Sequence, residues 1–205
     1  DEALEWMVEH KVAPAILGRN SFCEKKLVEF AENWGRQYFI FDSAYDTFGY
    51  RNYFPKLKVY EIDRAEMIEE KKQRLAQGRV KNIKVEFVPY DDQKQNWKES
   101  ILQTEYDLEK KVFCNLMGVS YRMSKEMFID TLKQLSSIMC ERSQIVLDYT
   151  MDPRVENFYS YGEIYNLLEE NGFEILDYLD DIMVTKSYFQ IYNAINAKHR
   201  MLSLN

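Results

Sequence analysis

With 205 residues the chain can bury one substantial hydrophobic core but is short for two ordinary domains, so a single domain over residues 1–205 is expected. Hydrophobic residues make up 46% of it and charged residues 30%, with Tyr and Phe plentiful, which excludes a disordered or low-complexity class. A formal net charge of −7 argues against non-specific nucleic-acid binding, which needs a basic face to displace counterions from phosphate, and leaves small molecules or proteins as the expected partners.

Cys23, Cys114 and Cys140 are odd in number and widely spaced, forming neither a disulfide framework nor a tetrahedral metal set; reduced thiols and no metal are expected. The two histidines, His10 and His199, sit near opposite ends and give little support to His-based acid/base chemistry. No apolar run approaches the roughly 18–20 residues of a membrane span, and no basic segment leads into an apolar one. A cytoplasmic location without membrane contact is therefore the expectation. The chain opens at Asp1 rather than Met, so an N-terminal helical segment of the full fold is expected to be missing.

No Pro/Gly/Ser-rich linker, internal repeat or block of one charge interrupts the chain. Over residues 23–33, Leu27, Phe30, Ala31 and Trp34 fall at i, i+3, i+4 and i+7, which predicts a helix with one apolar face, stopped by Gly35. Tyr38-Phe39-Ile40-Phe41 follows as a strand buried on both faces. Residues 57–62 read as a second strand, 64–77 as a charged helix ending near Gly78, and 84–88 as a third strand. A fourth strand is predicted at 111–116. It is followed by a helix from Lys125 with Ser124 as N-cap and Phe128, Leu132, Leu135 and Met139 along one side. Residues 144–149 give a fifth strand, 163–170 a helix stopped at Asn171-Gly172, 173–179 a sixth strand, and the tail from Ile182 a seventh. Strands alternating with helices predict an α/β fold: a Rossmann-like, mostly parallel central sheet with helices on both faces in a three-layer sandwich. Ligands of such sheets bind beyond the carboxyl ends of the strands.

The turn after the first strand, Asp42-Ser43-Ala44-Tyr45-Asp46-Thr47, lacks the glycines that let backbone approach a nucleotide, and it reads equally as a tight strand-to-helix turn. The second strand ends at Asp63, which either accepts the ribose hydroxyls of an adenosine or caps the following helix. Its separation of about 20 residues from the first turn suits a shared adenosine site. Tyr90 and Asp91 close the third strand, suited to flanking an adenine or to ordinary turn chemistry. At the end of the fourth strand, Met117 could pack on a flat base and Gly118 could let the chain pass close to it, or both could belong to the core.

These segments together resemble the leucine carboxyl methyltransferase family and its bacterial O-methyltransferase relatives, class I S-adenosylmethionine-dependent enzymes. The likeness runs from about Ala15 to Phe189. It rests on Gly18-Arg19-Asn20, Asp46-Thr47-Phe48-Gly49-Tyr50-Arg51, Val59-Tyr60-Glu61-Ile62-Asp63, Val88-Pro89-Tyr90-Asp91, and the stretch from Gly118-Val119-Ser120-Tyr121-Arg122 through Glu126. The resemblance implies S-adenosylmethionine as cofactor and S-adenosylhomocysteine as product. It makes Arg19 the partner of the cofactor's carboxylate, Asp63 the ribose ligand, and Tyr90 and Asp91 the flanks of adenine. Met117 stands where the eukaryotic enzymes often carry an acid. Asp42-Ser43-Ala44 replaces the family's Gly-x-Gly, putting a carboxylate at Asp42 and a methyl group at Ala44 beside the methionyl end of the cofactor. The family's pocket-covering helices are short here, with room for little more than a loop between Tyr149 and Tyr161.

The leading functional reading is methyl transfer to a carboxylate or hydroxyl of a small molecule or protein, with no catalytic residue identified. The alternative is a catalytically inactive relative that binds or scaffolds, its cofactor turn degenerate. A nicotinamide-dependent oxidoreductase fits worse, because it requires glycines in the first turn still more strictly. The Tyr-rich tail, including Tyr188 and Tyr192, packs either on the domain or on a partner, a homodimer being the assembly it suggests.

Overall fold

The computed structural model describes residues 12–80, 84–91, 93, 94, 96–180 and 199–204. Seven strands form one sheet in the order β3-β2-β1-β4-β5-β7-β6. They are β1 (Gln37–Phe41), β2 (Lys58–Arg64), β3 (Val85–Tyr90), β4 (Val112–Leu116), β5 (Gln144–Thr150), β6 (Ile175–Asp180) and β7 (His199–Leu204). The first five run parallel, while β7 is antiparallel to both β5 and β6. The helices are α1 (Val12–Asn33), α2 (Phe48–Arg51), α3 (Ala65–Gln77), α4 (Trp97–Leu102), α5 (Lys125–Ile138) and α6 (Tyr161–Glu170). The α/β fold expected from the sequence is the one observed.

All five residues of β1 are buried, which explains its unbroken apolar run: both faces of this central strand are covered by helices. Side chains alternate across it. Tyr38 and Ile40 join Leu27, Phe30, Val59 and Phe113 in a core beneath α1, whereas Phe39 and Phe41 join Tyr60, Ile62, Trp97 and Leu132 on the opposite face. Because β1 pairs with β2 on one side and β4 on the other, the chain direction of the crossovers reverses between β1 and β4. That is where a sheet of this kind opens a crevice at its carboxyl edge.

Several details depart from the sequence reading. Helix α1 begins well before residue 23, and Trp34, expected on its apolar face, is 64% exposed. The chain leaves the helix there: the amides of Trp34 and Gly35 both donate to the Phe30 carbonyl, at 3.1 and 2.8 Å, and the indole swings out beside Lys111. Helix α2, of four residues, follows the turn that also read as strand-to-helix, whereas α4, of six residues, is too short to establish an apolar period and was not anticipated. The seventh strand expected in the tail from Ile182 is His199–Leu204. Asp1, His10, Ile182, Tyr188 and Tyr192 lie outside the described residues. Ser124 caps α5 as expected, its hydroxyl accepting from the Met127 amide at 3.2 Å. Cys23 and Cys114 are buried, Cys140 is half-buried, and all three are free thiols. Among the described residues no helix is long and apolar enough to cross a membrane.

Candidate functional site

At the carboxyl ends of β1, β2 and β3 lies a cleft of 320 Å³ walled by Asp42, Ala44, Asp63, Arg64, Met67, Tyr90, Arg122, Met123 and Met127. Three of its walls come from the ends of adjacent strands, and the fourth comes from the loop after β4 and the first turn of α5. The methionines give it a polarizable apolar side suited to a flat ring.

The turn after β1 shapes the cleft. Asp42 and Ala44 both adopt positive φ, +48° and +36°, in the left-handed region that glycine occupies freely and other residues at a cost of about 1–2 kcal/mol. Two hydrogen bonds hold this backbone. The Asp46 amide donates to the Ser43 carbonyl at 2.7 Å, and the Ala44 amide donates to Asp63 Oδ2 at 2.7 Å. The turn therefore places two non-glycine residues in the left-handed region that glycine favours. Asp46 then caps the entry to α2 by accepting from the Phe48 amide at 2.7 Å.

Asp63 is buried, and its second oxygen, Oδ1, accepts from the Arg64 amide at 2.8 Å at the start of α3. Each carboxylate oxygen offers about two lone-pair positions, so one backbone bond apiece leaves acceptor capacity on the cleft side. The two readings of this residue, helix-start acceptor and hydroxyl acceptor, are thus compatible.

Asp42 is held differently. Arg122 Nη2 lies 3.1 Å from its Oδ2, and the Tyr90 hydroxyl donates to Oδ1 at 3.5 Å. Burial raises the Asp42 carboxyl above its usual pKa; Arg122 opposes the rise, and the neighbouring Asp63 carboxylate adds to it. Arg122 is itself aimed by its Nε, which donates to the Gly118 carbonyl at 2.5 Å. Gly118 sits at φ +81°, a backbone conformation that favours glycine, and a Cβ there would come within 3.2 Å of the Arg122 guanidinium, which would have to shift slightly.

On the other side of Gly118 the contacts continue. Its amide donates to Asp148 Oδ1 at 2.6 Å, while Arg19 Nη1 donates to Asp148 Oδ2 at 2.7 Å and to the Tyr121 hydroxyl at 2.5 Å. Asp148 is fully buried near the end of β5. Burial disfavours the Arg19 charge, yet Asp148 and Tyr121 outweigh it and hold the guanidinium above its usual pKa. A continuous path of hydrogen bonds and ion pairs therefore joins Arg19, Asp148, Gly118, Arg122 and Asp42 across the carboxyl edge of the sheet.

The structure brings Asp42, Ala44, Asp63 and Tyr90 into one cleft. Arg19 stands outside its walls, on the Asp148 side of Gly118. Asp91 is not among the walls either: it forms a local turn, accepting from the Gln93 and Lys94 amides and pairing with the Lys94 ammonium at 3.1 Å. Met117 packs against the core beneath α1, where Phe22, Phe48 and Phe113 lie. Arg122, Met123 and Met127 line the cleft although no role was assigned to them from sequence. Asp148 was missed as well; the signal available was a lone acid in the apolar strand Gln-Ile-Val-Leu-Asp-Tyr-Thr. Residues 151–160, between β5 and α6, contain no helix or strand. No cluster of three or more His, Cys, Asp or Glu side chains suited to a metal occurs among the described residues.

Comparison with known proteins places this geometry. The leucine carboxyl methyltransferase family matches residues 1–136. A Bacillus subtilis (strain 168) protein, YktD, named as a candidate S-adenosyl-L-methionine-dependent methyltransferase, is 29% identical over 215 residues, spanning 89% of this chain and 69% of its own length. Among solved structures, magnesium protoporphyrin IX methyltransferase from Synechocystis PCC 6803 with bound SAM superposes with a TM-score of 0.59 at 14% identity, covering 92% of this chain and 79% of that one. A SAM-dependent methyltransferase from Aquifex aeolicus gives 0.58 at 18% identity, covering 89% and 88%. At such identities the structures speak for the fold, a Rossmann-like methyltransferase fold, and the family match covers well over half of the sequence. The chain belongs to the leucine carboxyl methyltransferase family.

Proposed function

We propose that this protein is an S-adenosylmethionine-dependent O-methyltransferase whose acceptor is a carboxylate or hydroxyl of a small molecule or of a protein. The observation that carries the reading is the union, in one cleft, of a first turn held at positive φ with a buried strand-end carboxylate, Asp63, that retains acceptor capacity. In this reading Asp63 accepts the ribose hydroxyls. The Met67, Met123 and Met127 side chains and Tyr90 bound the adenine side. Arg19 lies outside the cleft walls, with Nη1 committed to Asp148 and Tyr121 and Nε buried, so in this reading it meets the carboxylate of the methionyl end through Nη2.

When bound, the cofactor supplies an electrophilic methyl group. With the cofactor held there, an acceptor oxygen would displace the methyl group from sulfur, the C–S bonding pair remaining on the thioether. The protein's part is alignment and exclusion of water, and a carboxylate acceptor needs no general base. With only the 151–160 loop between β5 and α6, the acceptor side is little covered by this stretch of chain.

The test is calorimetric titration with S-adenosylmethionine and S-adenosylhomocysteine, followed by a radiolabelled-methyl assay against carboxylate and hydroxyl acceptors. Micromolar binding and transfer to oxygen are expected. Alkaline release of labelled methanol would mark a methyl ester, and alkali-stable label a methyl ether. No binding at millimolar ligand would sink the proposal.

A further inference from the structure

Resting on the methyltransferase reading, the two carboxylates in the cleft wall divide its labour. Asp63 shares its charge with two fixed backbone amides, those of Ala44 and Arg64. Asp42 has side-chain partners instead: Arg122 at 3.1 Å and the Tyr90 hydroxyl at 3.5 Å. The Asp42 side chain is only 18% exposed, whereas that of Arg122 is 51% exposed. A largely buried carboxylate needs a counter-charge, and here the counter-charge is a long, half-exposed cation of the kind that pairs weakly and exchanges readily.

We infer that Asp42 is a specificity-determining residue that selects the sulfonium form of the adenosyl ligand, which takes over from Arg122 as its counter-ion. Arg122 reaches from Gly118 to Asp42 along the cleft wall, so a ligand filling the cleft competes with it for the carboxylate. A ligand neutral at that point leaves Asp42 buried beside Asp63 with its cation displaced, an unfavourable state. A ligand with a positive sulfur replaces one cation by another. The methyl donor carries that charge and the demethylated product does not, whereas the ammonium and carboxylate at the methionyl end are common to both and cancel in the comparison. Glycine at position 42 would give the turn its shape but no charge. Aspartate supplies the charge and is among the few residues that tolerate φ +48°.

Binding, rather than turnover, tests this. Calorimetric titrations of wild type, Asp42→Asn and Arg122→Ala would use S-adenosylmethionine, S-adenosylhomocysteine and 5′-methylthioadenosine. Asn is at home at positive φ, and a melting curve for each variant checks that it is folded. Wild type should prefer the sulfonium ligand to the thioether product by about tenfold, the worth of one partly screened charge pair. Asp42→Asn should erase that preference by weakening the sulfonium ligand about tenfold while leaving the product within about threefold. Arg122→Ala, which removes the competing cation, should keep the preference, and methylthioadenosine should bind weakly and without regard to Asp42. Equal affinity of wild type for donor and product, or an equal loss of both in folded Asp42→Asn, would overturn selection by charge while leaving the methyltransferase reading standing. Failure of wild type to bind either at millimolar concentration would overturn both.

Discussion

The Ala44 amide donates to Asp63 Oδ2 at 2.7 Å, tying the turn after β1 to the end of β2. Through this bond Asp63 both shapes the cleft and lines it, so its replacement acts on stability and on binding together.

Asp63→Ala strips the acceptor from two backbone amides, one of them in the strained turn. Leaving such groups unpaired costs about 1–3 kcal/mol. Urea unfolding should register that loss, and titration with S-adenosylmethionine should show binding weakened at least about tenfold, the worth of about 1.4 kcal/mol. Asp63→Asn keeps one acceptor oxygen and should fall between wild type and Asp63→Ala in stability. An Asp63→Ala variant with undiminished affinity would remove Asp63 from the ligand site.

Ala44→Gly should break the usual rule for alanine-to-glycine changes. At φ +36° alanine pays about 1–2 kcal/mol that glycine does not. Glycine's extra freedom in the unfolded chain takes back about 0.4–1 kcal/mol. The variant should therefore be neutral or up to about 1.6 kcal/mol more stable, read from the urea midpoint at unchanged slope. A loss above about 1 kcal/mol would show that the turn is not held at positive φ.

Much of this architecture was legible because its strands are buried on both faces. Tyr38-Phe39-Ile40-Phe41 is an apolar run consistent with a covered strand, and Asp63 closes a second buried strand, Val59-Tyr60-Glu61-Ile62, that one further acid interrupts. The first turn was legible only by its residue types. Asp42-Ser43-Ala44 reads as a lost glycine motif, whereas the backbone keeps left-handed geometry because Asp63, 19 residues away, accepts the Ala44 amide. Long-range pairing hid the rest. Arg19 and Asp148 meet across 129 residues, and no local spacing announces it. Arg122 lay within a recognised segment, but its aim toward Asp42 depends on the positive φ of Gly118. Helix α4 escaped because six residues hold fewer than two turns.

Asp148 holds the Gly118 amide and the Arg19 guanidinium while fully buried. Asp148→Ala leaves a buried amide and a mostly buried cation without their acceptor, so unfolding free energy should fall by about 3–5 kcal/mol. Arg19→Met, which removes the cation and leaves Gly118 as a partner for Asp148, should cost less. Measuring both and the double variant in urea gives the coupling between them, expected to exceed about 0.5 kcal/mol for residues in direct contact. Strict additivity would mean that the Arg19 to Asp148 contact carries no energy of its own.

The Asp42 carboxyl gives a pH signature whose sign follows from its environment. Burial raises its pKa in the folded protein above the ordinary 3.8, with Arg122 opposing and Asp63 reinforcing, so the folded state holds that proton more tightly than the unfolded chain. Its contribution to stability is therefore fully present below 3.8 and is lost as pH rises through the elevated value. Asn at position 42 does not titrate. The stability of wild type minus that of Asp42→Asn should thus decline as pH is raised from below 3.8 toward neutrality, then level off. Urea unfolding of both proteins across that range isolates the effect, because the other carboxyls are common to the two. Arg122→Ala removes the opposing cation, which raises the Asp42 pKa further and should extend the decline to higher pH. A difference that grows with pH would mean that Arg122 outweighs burial and that the ion pair, rather than the desolvated carboxylate, governs the first turn.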